Sequence, residues 1–256
     1  LERVSETDNH GAAIWQIAQT ATRARRADVL AALIDHHGCL VQSGPFAGMA
    51  LPDQTSAGDG NLLPKFLGCH EAELHPIIED IIAAVPDLVI DIGTREGYYA
   101  VGMARRLPAA FVHAFDTQAT AQDLCRQTAG LNDVGKRISV TGRCTPDLLQ
   151  AIVPRGRTPV VICDCGGYEQ TLIDPHRVPA LRSAILVIEC HDFVDATLTQ
   201  TLADRLGPTH TLEGIREGAR DPNALPSLQG MSSLDRWLAV CEYRPTTMHW
   251  LVALPK

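Results

Sequence analysis

The sequence predicts an α/β protein in which a mainly parallel sheet carries helices on both faces and follows a helical extension. Three observations predict it. From residue 88 onward, short apolar runs of strand length alternate with helical segments. Several of those runs are unbroken Val, Ile and Leu, as strands covered on both faces are. The first of them, Leu88-Val89-Ile90, passes through Asp91 into a turn holding Gly93 and Gly97, and helical residues run on from Tyr98 to Leu107. Backbone amides at such a helix start are unpaired, and the glycines let a ligand approach closely.

Taken in order, residues 11–37 place Ile14, Ile17, Ala18, Ala21, Val29, Leu30, Leu33 and Ile34 at helical spacing, which predicts one or two helices ending at Gly38. Residues 42–64 are rich in Gly, Ser, Asp and Pro and read as a loop, a lid or a substrate wall. A helix through Ile77, Ile78, Ile81 and Ile82 is closed by Pro86. Strands follow at 88–92, 111–115, 137–141, 159–163, 184–188, 209–212 and 248–254, with helices at 97–107, 118–130 and 195–206 between them. Residues 1–85 form an N-terminal helical and loop segment, a substrate cap or oligomerisation element. Residues 86–256 form the ligand-binding domain, with an insertion at 214–247.

At 256 residues the chain can bury one good core. Its 22 Lys and Arg against 30 Asp and Glu give a net charge of −8, which argues against a nucleic-acid partner. Arg23, Arg25 and Arg26 cluster, but on a helix they read as a solvated face. The eight cysteines contain no C-x-x-C pair, and Cys163 and Cys165, flanking Asp164 in an apolar run, read as small buried hydrophobes of a reduced, cytoplasmic chain. No 18-residue apolar run and no leader is visible, so no membrane partner is expected. An Ala-rich amphipathic face at the N-terminus needs a cover, either its own domain or the same helices of a second copy in a homodimer.

Ligands of open parallel sheets bind at the carboxyl ends of the strands, and four strands here end in an acid: Asp91, Asp116, Asp164 and Glu189. Asp116 lies one β-α-β step after the glycine turn, where a carboxylate accepts both hydroxyls of a ribose. A dinucleotide site would satisfy that too. It would, however, show G-x-G-x-x-G, whereas this turn separates Gly93 from Gly97 by Thr-Arg-Glu. Asp91 directly before the turn would repel a pyrophosphate and attract a cation. S-Adenosylmethionine, with a sulfonium, an ammonium and no phosphate, fits that carboxylate.

Asp91-Ile-Gly-Thr-Arg-Glu-Gly-Tyr-Tyr-Ala with Asp116 resembles motif I and the next acidic motif of class I S-adenosylmethionine-dependent methyltransferases. Ile162-Cys-Asp-Cys-Gly-Gly-Tyr-Glu, followed by Ile188-Glu-Cys-His, is similar to the D-x-x-G-x-E … I-E-x-H signature of their FkbM-type branch, which includes small-molecule O-methyltransferases. Gly166-Gly167 stands where that branch usually has Glu-Gly. The resemblance implies a Rossmann-like methyltransferase fold, a seven-stranded mostly parallel sheet with an antiparallel last strand. It also implies that Asp91, Gly93 and Gly97 hold the methionine portion, Asp116 the ribose and the Gly142-Arg143-Cys144 turn the adenine. Glu71 is a candidate for the ammonium group or a solvated helix-start acid. Tyr98 and Tyr99 either shape the pocket or pack the helix start.

In this fold's strand order, Asp164, Glu189 and His191 face the transferred methyl group together. His191 is the candidate base for a hydroxyl acceptor, oriented by Glu189 or Asp192; a histidine capping a strand end is the bland alternative. Asp164, Glu189 and His191 also have the types to hold a divalent cation such as Mg2+, with His210 as a further donor. Glu169 reads as a helix-start acid or an acceptor contact. The function expected is methyl transfer to oxygen of a small-molecule acceptor, a sugar or secondary metabolite. An NAD(P)-dependent oxidoreductase and a non-catalytic assembly module of the same fold are the alternatives.

Overall fold

The computed structural model describes residues 2–53, 62–153 and 158–256, with side chains from residue 11 onward. Helices α1 (Glu2–His37), α2 (Leu62–Leu67) and α3 (His75–Ala83) precede the alternating part. That part runs β1 (Leu88–Ile92), α4 (Tyr98–Arg106), β2 (Phe111–Phe115), α5 (Ala119–Leu131), β3 (Ile138–Thr141), α6 (Pro146–Ile152) and β4 (Val160–Cys163). It continues through α7 (Glu169–Leu172), β5 (Ile185–Glu189), α8 (Leu198–Leu206), β6 (His210–Arg216), α9 (Ser233–Val240) and β7 (His249–Pro255). The strands form one sheet in the order β3-β2-β1-β4-β5-β7-β6, and β7 runs antiparallel to both its neighbours. This is the predicted mixed sheet with an antiparallel last strand.

Strand residues alternate between two cores, because successive side chains point to opposite faces. Val89, Val112, Ala114, Val160, Ile162 and Val187 join α4 and α5 on one face. Leu88, Ile90, Ile92, Val161, Cys163, Leu186 and Ile188 join α8 on the other. Asp91 shares the parity of Val89, and Glu189 that of Val187, so both project on the α4 side. The parallel register pairs Ile92 with Phe115 and Cys163, and Cys163 with Ile188. The residues just beyond, Gly93, Asp116, Asp164 and Glu189, are therefore brought to one edge. The chain order reverses between β1 and β4, the switch point where such sheets open a crevice.

A third core, with Val29, Leu33, Leu63, Phe66, Leu67, Ala239 and Val240, fixes α1 against α2 and α9. Arg25 adds a bidentate bond to Asp235, and Arg26 donates to the Leu238 and Cys241 carbonyls. Helix α1 is one helix, and Gly38 at φ +70° closes it, its N–H on the Ile34 carbonyl. Toward its start, Ile14, Trp15 and Ile17 are exposed. No helix among the described residues is long and apolar enough to cross a membrane.

Two expectations need correction, and a further helix joins those expected. The loop read at 42–64 is not a lid in its described part: Leu40 and Ala50 form an antiparallel bridge, and Phe46 and Met49 are core residues. Phe46 packs flat on Gly102, where an added Cβ would lie 2.5 Å from the ring, so its apolar content outweighed the loop-like Gly and Pro around it. Residues 54–61 of that reading lie outside the described residues. The insertion begins after Arg216 and not at 214, since β6 pairs with β7 along its whole length despite its polar residues, as an edge strand can. Helix α6, unread in the sequence, is capped by Thr145 accepting from the Leu148 amide with Pro146 at the first position.

Candidate functional site

The turn after β1 is tied down on both sides. Gly93 and Thr94 donate to the Phe115 carbonyl, and the Asp164 amide donates to the Ile92 carbonyl. The two strand ends approach so closely that a Cβ on Gly93 would sit 1.6 Å from the Asp164 carbonyl oxygen, while its φ of +89° already favours glycine. Gly93→Ala is therefore expected to cost about 4 kcal/mol or more, read as a large fall in Tm. Gly142, which has nothing within 4 Å of an added Cβ, should change stability by under about 0.5 kcal/mol as Ala.

Beyond these strand ends lie two cavities that share Gly93, Arg95, Asp164 and His191. The first, about 330 Å³, is walled by Phe115, Asp116, Gly142, Cys144, Cys165 and Tyr168. Asp116 accepts from the amides of Arg95 and Gln118, one on each oxygen, which fixes the carboxylate and leaves lone pairs on both oxygens. The second, about 240 Å³, is bordered by Glu71, Asp91, Tyr98, Glu189, Glu242 and Arg244. Of the predicted cofactor-binding residues, Gly97 alone lines neither cavity. It starts α4 at φ +87°, and an added Cβ would meet the Cys125 sulfur at 2.9 Å, so its role is to seat α4 on α5.

Asp91 is buried and its Oδ2 accepts from the Thr94 hydroxyl at 2.7 Å and the Ala100 amide at 3.0 Å. Burial nevertheless raises its pKa to about 7, and Asp164 and Asp116 push the same way. A cation in the cavity would reverse that. Glu71 adopts a left-handed backbone, φ 48°, as do Arg95 and Tyr243, so three of the cavity's residues carry backbone strain. The Glu71 carboxylate is bonded by Tyr99 Oη and by Arg244 Nη2 at 3.2 Å, which makes it part of a network. It is not a solvated acid: it is buried and lines the cavity.

Arg244 is the hub of that network. It also bonds Glu189 and Glu242, and it lies 4.9 Å from the Trp250 ring centroid. Arg220 and His70 reach Glu242 from the other side, and their charges with that of Arg244 hold its carboxyl well below the usual range despite burial. Lys65 forms a buried pair with Glu96 at the cavity wall. The Tyr98 hydroxyl is buried with no hydrogen-bond partner.

His191 is held between carboxylates. Its Nε2 is 3.5 Å from both Asp164 Oδ1 and Glu189 Oε2, and its Nδ1 is 3.1 Å from Glu169 Oε1. Glu169, fully buried, is thus the carboxylate nearest the ring, closer than Glu189. Glu189 is taken by Arg244, and Asp192 accepts from Thr199 at the start of α8 and contacts His249. Burial lowers the His191 pKa, but Glu169 and Asp164 outweigh it, so the ring is more basic than an ordinary histidine. Burial and Asp164 push the Glu189 pKa up against the Arg244 charge, whereas the pKa of Asp164 is lowered in spite of burial. Among the described residues, Asp164, Glu169 and His191 bring donor atoms within 4.8 Å of one another, with Glu169 in the place expected for Glu189. His210 is remote from them, bonded to Thr209 and the Ala184 carbonyl at the opposite end of the sheet.

No family model matches the chain. A release factor glutamine methyltransferase of Synechocystis sp. is 43% identical over 49 residues, 19% of this chain and 16% of that protein. Cofactor-bound Rv0187 from MTB superposes with a TM-score of 0.51 at 14% identity, covering 74% of this chain and 82% of the other. The O-methyltransferase TomG from Streptomyces achromogenes, solved in complex with S-adenosylmethionine, gives 0.50 at 13% identity over the same shares. The chain has a Rossmann-like methyltransferase fold. A human methyltransferase 10 domain containing protein shares it with a TM-score of 0.50 at 15% identity, covering 91% of this chain and 96% of that one. The fold accounts for the strand-end cavities; the residues in them are this chain's own.

The sequence missed Lys65, Glu96, Arg95, Glu242 and Arg244 as neighbours of the site. For the first two no signal existed, since a helix lysine and a turn glutamate 31 residues apart meet only through packing. The I-E-x-H spacing could have paired Glu169 with His191, had the D-x-x-G-x-E glutamate been given a partner.

Proposed function

We propose that this chain is an S-adenosylmethionine-dependent methyltransferase that methylates a hydroxyl of a small molecule. The observation that carries the reading is the juxtaposition of two cavities of different chemistry with His191 where they meet. The residues fit the cofactor: Asp116 offers carboxylate lone pairs suited to a ribose diol, and Gly142 leaves open space for a base. The second cavity offers the buried Asp91 carboxylate and the unpartnered Tyr98 hydroxyl. Bound there, the cofactor supplies an electrophilic methyl group. A pyrophosphate, by contrast, would meet Asp91 and Asp164 at the turn. The D-x-x-G-x-E … I-E-x-H arrangement, with Glu169 against His191, supports a place in the FkbM-type branch.

The chain's part in the reaction is alignment and proton removal. His191 Nδ1 lies 3.1 Å from Glu169 without a hydrogen bond in this geometry; with the proton on Nδ1, Nε2 is free to take the acceptor's hydroxyl proton. Asp164 and Glu189 flank Nε2, and the Asp164 carboxylate stabilises the imidazolium that results. Phe193, Pro245 and Trp250 supply apolar wall for the acceptor, a sugar or secondary metabolite. A second reading, favoured by the convergence of Asp164, Glu169 and His191, gives those donors a Mg2+ ion that acidifies the hydroxyl; loss of turnover with EDTA and its return with Mg2+ would select it.

A panel of polyhydroxylated small molecules incubated with S-adenosylmethionine tests the reading by mass spectrometry. A gain of one methyl group on oxygen is expected, and methylation confined to nitrogen or carbon would overturn it. The pH dependence follows from two groups. Below pH about 7 Asp91 is protonated and cannot receive a cation, so affinity for S-adenosylhomocysteine should rise with pH and level off above about 7. Turnover needs neutral His191 and should rise through a pKa above the ordinary histidine value. Calorimetric Kd values between about pH 5.5 and 8.5 check the first, and kcat over the same range the second.

A further inference from the structure

Behind the adenosyl-type cavity lie two thiols that the proposed methyl transfer does not use, beside the buried Glu169. Cys163 ends β4 on the α8 side, Cys165 follows two residues later on the same side, and their sulfurs are 3.6 Å apart. That is far beyond the ~2.05 Å of a disulfide. It is close to the roughly 3.8 Å edge that two thiolates span on a tetrahedral ion with bonds of about 2.3 Å. Two thiols in simple packing contact could show the same separation, and what distinguishes this pair is the third donor.

Glu169 is 0% exposed, and a carboxylate oxygen of it lies within 4.8 Å of both sulfurs. Its Oε1 accepts from the Cys165 amide at 2.8 Å and contacts His191, whereas its Oε2 has no hydrogen-bond partner. A buried carboxylate with one bare oxygen beside two sulfurs lacks the donor or cation that burial demands. We propose that Cys163, Cys165 and Glu169 form a binding site for a thiophilic divalent cation of the Zn2+ or Cd2+ class. Two sulfurs and one oxygen select a soft or borderline ion over Mg2+ or Ca2+. The half-exposed Cys165 opens on the cavity, which supplies an entry path and a fourth coordination position. Each thiol releases its proton to solvent as its sulfur binds, and no oxidant is consumed. The ion competes with His191 Nδ1 for Glu169, so the site shares that carboxylate with the proposed base while its two sulfurs lie outside the methyl transfer.

The test is titration of the whole reduced chain with Cd2+ alone, following sulfur-to-cadmium charge-transfer absorption, with Zn2+ as competitor. Neither cofactor binding nor methyl transfer enters the readout, so its failure leaves the proposed function standing. One Cd2+ per chain is expected, displaced by Zn2+. Cys165→Ser and Cys163→Ser should each weaken binding by at least about 30-fold, and Glu169→Gln by about tenfold. Cys241→Ser, which removes the exposed thiol, should leave binding unchanged. If Cys163→Ser does not fold, the half-exposed Cys165→Ser decides. Wild-type Cd2+ binding in Cys165→Ser, or loss of the absorption band in Cys241→Ser, would overturn the site.

Discussion

Asp91→Asn is expected to weaken S-adenosylhomocysteine binding by about 100-fold or more at pH 8, with little change in Tm. Asparagine keeps an oxygen to accept from the Thr94 hydroxyl and the Ala100 amide, so the turn is retained. What it loses is the buried negative charge. Removing one partner of a buried ion pair costs about 3–5 kcal/mol, which corresponds to roughly 10² to several times 10³ in Kd. The variant should also lose the rise of affinity with pH below about 7, because the group that burial holds near that value is gone. Isothermal titration at two pH values reads both effects. An Asn variant that still binds tightly, and still follows pH, would remove Asp91 from the cation's site.

His191→Gln is expected to do the opposite, leaving the Kd for S-adenosylhomocysteine within about twofold while kcat falls by about 10²–10⁴, the usual contribution of a general base. Glu169→Gln should give a smaller fall in kcat and shift its pH profile toward lower pH. The cause is that Glu169 supports the charged ring and raises its pKa; neutralising it lowers the pKa, so the neutral form appears earlier as pH rises. A metal-free reaction with an unchanged profile in both variants would assign deprotonation elsewhere. Loss of cofactor binding in His191→Gln would contradict the division of labour between Asp91 and His191.

Much of this site could be read from the chain because its parts are local. A strand, a glycine turn and a helix start are consecutive in sequence, and parallel register then carries Asp116, Asp164 and Glu189 to the same edge as Asp91. Strand parity likewise separates Asp91 from Cys163. What could not be read depends on contacts between distant segments. Arg244 meets Glu71 across 173 residues and Glu189 across 55, and neither spacing carries a pattern. Gly97 has a packing role that its motif does not announce, since its neighbour is a cysteine of the next helix. The 42–53 segment carries a loop-like local pattern for a similar reason, since Phe46 is fixed by a notch at Gly102 that no local pattern announces.

The most direct measurement is a side-by-side calorimetric titration of the chain with S-adenosylhomocysteine and with NADH at pH 8. The account predicts one S-adenosylhomocysteine site per chain, lost in Asp116→Ala together with the carboxylate that borders the first cavity, and no heat of binding with NADH. Saturable NADH binding with none of S-adenosylhomocysteine would contradict it.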